Sequence, residues 1–192
     1  MKYDNSEAFF IEEYRKIYKY DPDYGVSGGR SSKFMAPLIS ALAPESILDY
    51  GCGRSHLIKM LMRSFRFYGY KYDPCVPEYE QLPVKKVDLI VCTDVLEHIH
   101  KSFLKEKLNE IKAISQNAIF IIKCFTSPTK LTDGRSVHVT VEPPEWWINT
   151  IAQVFGQAQI IIKFTKKPNL EKFMCTTFPV DLETVTFIKG LE

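Results

Sequence analysis

Residues 92–100 read CTDVLEHIH. An apolar run ends in Thr93 and Asp94, and Glu97, His98 and His100 then crowd into four positions. Three kinds of chemistry suit that set. Carboxylates and imidazoles can share a divalent ion. They can hold and pass a proton. They can also form the rim of a cofactor pocket, with one imidazole turned to a substrate. Residue types and spacing leave all three open, so the surroundings must decide.

A second stretch, ILDYGCGRSHL (47–57), narrows the choice. A strand-like run ends at Tyr50, and Gly51 and Gly53 follow, where the backbone can take positive φ or let a ligand lie against it. A helix is expected to begin near Arg54, presenting free N–H groups to a carboxylate or phosphate. Asp73 closes YKYD twenty residues after Gly53. At that spacing an acidic residue ending the next strand can accept hydrogen bonds from ribose hydroxyls. A dinucleotide fingerprint needs a third glycine three residues after the second, and His56 stands there. Asp49, two residues before Gly51, suits a cationic group and would repel a pyrophosphate. A ligand with an ammonium, a carboxylate and a ribose fits better, and S-adenosylmethionine (SAM) has all three.

The elements that must position these groups follow from the hydrophobic pattern. SILDY, RFYGYKY, VDLIVCT, AIFIIKC, QAQIIIKF and ETVTFIK read as strands. SEAFFIEEYRKIYKY, SSKFMAPLISAL (with Pro37 inside it), SHLIKMLMRSF, KSFLKEKLNEIKAI and EWWINTIAQVF read as helices. Such alternation predicts a doubly wound, mostly parallel sheet with helices on both faces. The 192 residues suffice for one domain with one substantial core. We divide it into N-terminal helices with a possible lid (1–43) and a Rossmann-like core (44–190). A net charge of +2 gives no strong field for nucleic acid or an anionic membrane. The polar start MKYDNSEAFF lacks a signal peptide's apolar stretch, and five cysteines without a C-x-x-C pair suit a reducing compartment. Cytoplasmic location is the expectation.

ILDYGCG, YDP and DLIVCTDVLEHI, in that order, resemble the successive motifs of class I SAM-dependent methyltransferases over about residues 20–165. YGVSGG and DGRSVHVTVEPPEWW resemble an uncharacterised bacterial and phage subgroup. The resemblance implies that Asp49, Gly51, Cys52 and Gly53 surround the methionine moiety and that Asp73 holds the ribose. Thr93, Asp94, Val95 and Leu96 would line the pocket near the adenosine and sulfonium. Independently of the resemblance, Tyr24–Gly29 is rich in positions that tolerate unusual φ and reads either as a lid over the cofactor, with Tyr24 in it, or as a flexible connector. Only about fifteen residues separate Asp73 from DLIVCT, so the third strand region should be shortened or missing.

In this frame the cluster at 92–100 lies at the carboxyl end of a central strand, where open α/β sheets place ligands. The pocket-rim reading is therefore preferred, with His98 facing substrate. Asp94, Glu97, His98 and His138 also resemble the metal set of small-RNA 2′-O-methyltransferases, but DVLEH is common in metal-free class I enzymes. No metal is expected. The loop DGRSVHVTVEPPEWW should carry substrate contacts. From it we take His138 with His98 as catalytic candidates, and Arg135 and Trp146 as substrate contacts; Trp147 lies on an apolar helical stripe and reads as core. The expected activity is methyl transfer from SAM to a small molecule or glycan, without nucleic acid or membrane. The alternatives are a SAM-binding module without turnover and a metal-dependent RNA 2′-O-methyltransferase.

Overall fold

The computed structural model describes residues 3–164 and 170–191. Helix α1 (Glu7–Tyr20) starts where the Ser6 side chain accepts from the Phe9 N–H, 3.2 Å away. Helix α2 (Ser32–Leu42) follows a 3₁₀ turn at Ser27–Ser31. Pro37 sits inside α2; the carbonyl it leaves unpaired belongs to Lys33, an exposed residue that water can reach. Next come β1 (Ser46–Tyr50), α3 (Leu57–Leu61), β2 (Tyr68–Tyr72) and β3 (Leu89–Thr93). Then follow α4 (Lys101–Ile114), β4 (Ala118–Lys123), α5 (Pro144–Phe155), β5 (Gln159–Phe164), β6 (Lys172–Thr176) and α6 (Leu182–Lys189).

The six strands form one sheet in the order β2-β1-β3-β4-β6-β5. The first four are mutually parallel, and β6 runs antiparallel to both β4 and β5. Successive side chains on a strand face opposite ways, so each central strand feeds two cores. Leu48, Ile90, Phe120 and Ile122 meet Leu104, Leu108 and Ile111 of α4 and Trp147 and Ile151 of α5. Ile47, Leu89, Val91, Ile119 and Ile121 meet Met35, Leu38, Ile39, Leu57, Leu61 and Ile188 on the other face. This is the expected doubly wound arrangement. Between β2 and β3 there is only a 3₁₀ turn at Pro77–Tyr79, so the third strand is missing and β2 is an edge.

Three elements depart from the sequence reading. ETVTFIK was expected as a strand because of its β-branched residues, but it folds as α6. Asp181 decides this locally: its carboxylate accepts from the Thr184 N–H (2.8 Å) and hydroxyl (2.7 Å), capping the helix. The last strand is instead KFMCT, whose insertion between β4 and β5 is a pairing that no local pattern announces. The helix after the glycine turn is also shorter than expected, beginning at Leu57 rather than Arg54. No helix among the described residues is long and apolar enough to cross a membrane.

Trp147 is fully buried at the junction of α5 with the sheet. Trp147→Ala should cost roughly 3–5 kcal/mol, the scale for emptying a large aromatic site. Chemical denaturation of wild type and variant would read this as a shift in midpoint.

Candidate active site

The parallel strands β1, β3 and β4 end at a common edge, where their loops and α1 enclose a cavity of about 390 Å³. One end is built from the glycine turn. Gly51 has φ +74° and Gly53 φ +51°. A Cβ on Gly51 would stand 2.4 Å from Val95 Cγ2, and one on Gly53 2.7 Å from the Gly25 carbonyl oxygen. Only glycine fits either position. The N–H groups of Gly51 and Cys52 donate to the Tyr72 carbonyl at 2.8 and 3.0 Å. Gly53 N–H donates to Asp73 Oδ2 (2.9 Å) and Cys75 N–H to Asp73 Oδ1 (2.8 Å). The Tyr18 hydroxyl lies 3.4 Å from Asp73 Oδ2. Burial pushes the Asp73 carboxyl up, while these hydrogen bonds pull it down.

Asp49 lies just beneath this turn, 1% exposed, and neither carboxylate oxygen has a partner among the described residues. Burial pushes its pKa up to about 7; Lys71 opposes the rise and Asp73 adds to it. A buried carboxylate without a partner is costly, and an incoming cation would relieve it.

The other end is built from β3, β4 and the loop between β4 and α5. Asp94 takes φ +57°, a left-handed conformation uncommon outside glycine. Ion pairs at 3.0 Å to Lys123 and Lys172, together with a hydrogen bond from the Ser27 hydroxyl (2.9 Å), hold it there. Burial would raise its pKa; the two lysines outweigh that and hold it well below the ordinary carboxylate range. Glu97 is fully buried. Its Oε1 accepts from Lys123 N–H at 3.4 Å, and its Oε2 has no partner among the described residues. Burial pushes this carboxyl well above its usual range, with the Asp94 charge adding.

His98 and His138 meet edge to face, ring centroids 4.9 Å apart. His98 Nδ1 lies 2.9 Å from the Val137 carbonyl oxygen and His138 Nδ1 2.5 Å from that of Phe125. A carbonyl only accepts, so Nδ1 carries the proton in both rings and Nε2 keeps its lone pair. Neither Nε2 has a hydrogen-bond partner among the described residues. Burial, joined by the neighbouring His138, lowers His98 to about 3. Burial likewise lowers His138, so both rings are neutral at physiological pH.

A profile of the methyltransferase domain matches residues 28–157, about two thirds of the chain. The chain belongs to this family of class I SAM-dependent methyltransferases. No curated protein sequence matches it significantly. Among solved structures it is similar to a Burkholderia thailandensis 1,6-didemethyltoxoflavin-N1-methyltransferase bound to 1,6-didemethyltoxoflavin and S-adenosylhomocysteine (SAH). That pair shares 14% identity at a TM-score of 0.63, over 92% of each chain. It is also similar to the SAH-bound N-terminal domain of EvdMO1 (11% identity, TM-score 0.54, 78% of this chain and 79% of that one). A third is DhpI in a SAM-HEP complex (12%, 0.53, 92% and 99%).

In this methyltransferase the cavity wall includes Tyr24, Gly51, Cys52, Asp73, Thr93, Asp94, Val95, His98 and His138 of the expected site. Others lie elsewhere. Asp49 is buried near the end of β1 and does not reach the cavity wall, and Gly53 is covered by Tyr18 and Gly25. Leu96 points into the core shared with α4 and α5. Trp146 is not a pocket wall: α5 turns it toward α4, where it packs on Trp147 beneath Lys101. Arg135 is not free to meet a substrate in the cavity. Its guanidinium binds Asp133, Asn5 Oδ1 and the Asp4 carbonyl, among the rings of Tyr3, Phe9 and Phe10.

Helix α1 supplies a cavity wall that the sequence pattern does not single out. Phe10, Tyr14 and Tyr18 recur every four residues, a helical stripe that was legible but reads equally as core. The Tyr14 hydroxyl, a single donor, lies 2.8 Å from the Val137 carbonyl oxygen and 3.0 Å from that of His98, seating the stripe against both histidine segments. Lys123 is not singled out either, because a lysine ending a buried strand carries no signal of its partner.

Asp49 yields a pH test. Its folded pKa of about 7 lies above the usual 3.8, so the native state holds a proton that the unfolded state has lost. Its contribution is fully present below about pH 4 and is lost as pH rises through 7. His98 acts oppositely from about 3 to 6.5, since the unfolded chain takes the proton there. Asp49→Asn removes the first effect alone. Between pH 4 and 7 the stability of the variant relative to wild type should therefore rise by up to about 1.4 kcal/mol per pH unit. Urea unfolding in SAM-free buffers at several pH values checks this; parallel pH profiles would show that Asp49 is not protonated in the free protein.

Proposed function

We propose that this methyltransferase binds SAM along the strand edge from Asp73 to Val95 and methylates a small, uncharged acceptor lying against His98 and His138. The observation that carries the reading is the pair of neutral imidazoles, with pinned Nδ1–H groups and unpartnered Nε2 atoms, in the same cavity as Asp73. SAM supplies a methyl group already activated by its sulfonium. The protein has mainly to align nucleophile, carbon and sulfur and to exclude water. Asp73 would accept hydrogen bonds from the ribose. Asp49 would answer the ammonium from beneath the turn, with Gly51, Cys52 and Gly53 around the methionine moiety. Thr93, Asp94 and Val95, with Leu96 behind them, would flank the adenosine and sulfonium, and Tyr24 would cover them. His98 or His138 would take the acceptor proton where the acceptor must lose one early.

A small acceptor is favoured by the enclosure of the histidine end by Phe10, Tyr14 and Tyr24. The net charge of +2 offers little attraction for RNA. The small-molecule ligand of the Burkholderia relative is consistent with this reading.

Calorimetry with SAH tests the cofactor half: Asp73→Ala should weaken binding by roughly 1.5–3 kcal/mol, the scale of hydrogen bonds to a charged group. Equal affinities would sink the ribose assignment. In an acceptor panel, His138→Ala should keep SAH affinity but lower kcat/KM by about 100-fold or more. Tight SAH binding without turnover across a broad panel would favour a binding module instead.

A further inference from the structure

We infer that Glu97, His98 and His138 form a binding site for one divalent first-row transition ion at the acceptor end of the cavity. By sequence alone no metal is expected here, because DVLEH also occurs without one. Three structural observations point the other way. First, one ligand atom from each of the three residues lies within 4.8 Å of the others. Donors about 2.0–2.1 Å from a shared ion stand roughly 3–3.5 Å apart, so the most distant pair needs to close by at most about 1.3–1.8 Å. Second, each imidazole donates its Nδ1–H to a backbone carbonyl. That is the outer-shell hydrogen bond that orients a metal-bound histidine and leaves Nε2 as the ligand. Third, Glu97 is fully buried and its Oε2 has no partner among the described residues.

The set differs from the four-residue pattern that the sequence suggested. Asp94 is held by Lys123 and Lys172 and is not a ligand here. Two imidazoles and one carboxylate favour an ion between Mn²⁺ and Zn²⁺ over Mg²⁺ or Ca²⁺, which prefer oxygen. Three protein ligands leave open positions for water or acceptor. An acceptor hydroxyl bound there would be more acidic. With both Nε2 atoms on the ion, its proton would pass to water rather than to His98 or His138, and the alkoxide would take the methyl group from the SAM sulfonium, releasing SAH. This consequence rests on the proposed acceptor site; metal binding itself does not.

The test uses tag-free, chelator-treated protein titrated with Co²⁺, whose visible d–d absorption reports a low-coordinate nitrogen and oxygen environment. One equivalent should bind, and Zn²⁺ should displace it. Glu97→Gln and His138→Gln should each weaken binding by at least roughly tenfold, while His56→Gln, on the surface, should not. A wild-type measurement covers the case in which those variants fail to fold. In ¹⁵N spectra of the four imidazoles, one equivalent of Zn²⁺ should move the Nε2 signals of His98 and His138 and leave those of His56 and His100. No stoichiometric binding, or Zn²⁺ shifts confined to His56 or His100, would overturn the site. SAH affinity measured in the same metal-free protein keeps the two ideas apart: retained SAH binding without a metal site leaves the methyltransferase reading intact.

Discussion

Burying both faces of a parallel sheet leaves its carboxyl edge as the place where polar groups can gather, and the site of this protein depends on that constraint. Helices α4 and α5 cover one face and α2, α3 and α6 the other. The strands beneath are almost wholly apolar. Charge is therefore confined to strand ends: Asp49 near the end of β1, Asp73 after β2, Asp94 after β3 and Lys123 closing β4. Parallel pairing of β1, β3 and β4 brings these ends together without any one segment encoding their proximity.

Once gathered, the charges are sorted by what reaches them. Asp94 has two lysines and stays ionised, which helps to hold the strained backbone that starts the turn toward His98. Asp49 and Glu97 have no such partners, and burial drives both toward their neutral forms. Two carboxylates so placed favour cations arriving from outside the protein, one beneath the glycine turn and one beside the histidines.

Helix α1 completes the enclosure. Buried Glu13 accepts from Lys16 Nζ (2.8 Å) and from the Thr132 N–H (2.6 Å), tying the helix to the loop that carries His138. Arg135 ties the same loop to residues 4 and 5. An arginine that the sequence marked for substrate thus serves to fix the loop on which His138 sits.

The strand–helix alternation, the glycine turn and Asp73 were legible in the sequence because they follow from local physics: hydrophobic period, positive φ, and spacing along one β-turn-α-β unit. The missing third strand was legible too, since about fifteen residues cannot hold a helix and a strand. The identity of the last strand was not, because ETVTFIK and KFMCT differ less in strand propensity than in what surrounds them. An N-cap at Asp181 turned the first into a helix, and a vacant place between β4 and β5 took the second. Sequence placed His98 and His138 in one site but could not say which nitrogen each presents, since that depends on carbonyls of Val137 and Phe125 brought near by the loop's path. It also marked Trp146, for lying off the apolar stripe of Trp147, and Arg135, for its place in the long loop, as pocket residues. Their fate was settled by the direction in which α5 leaves Pro144 and by the nearness of Asp4 and Asn5, contacts across more than a hundred residues that only tertiary packing creates.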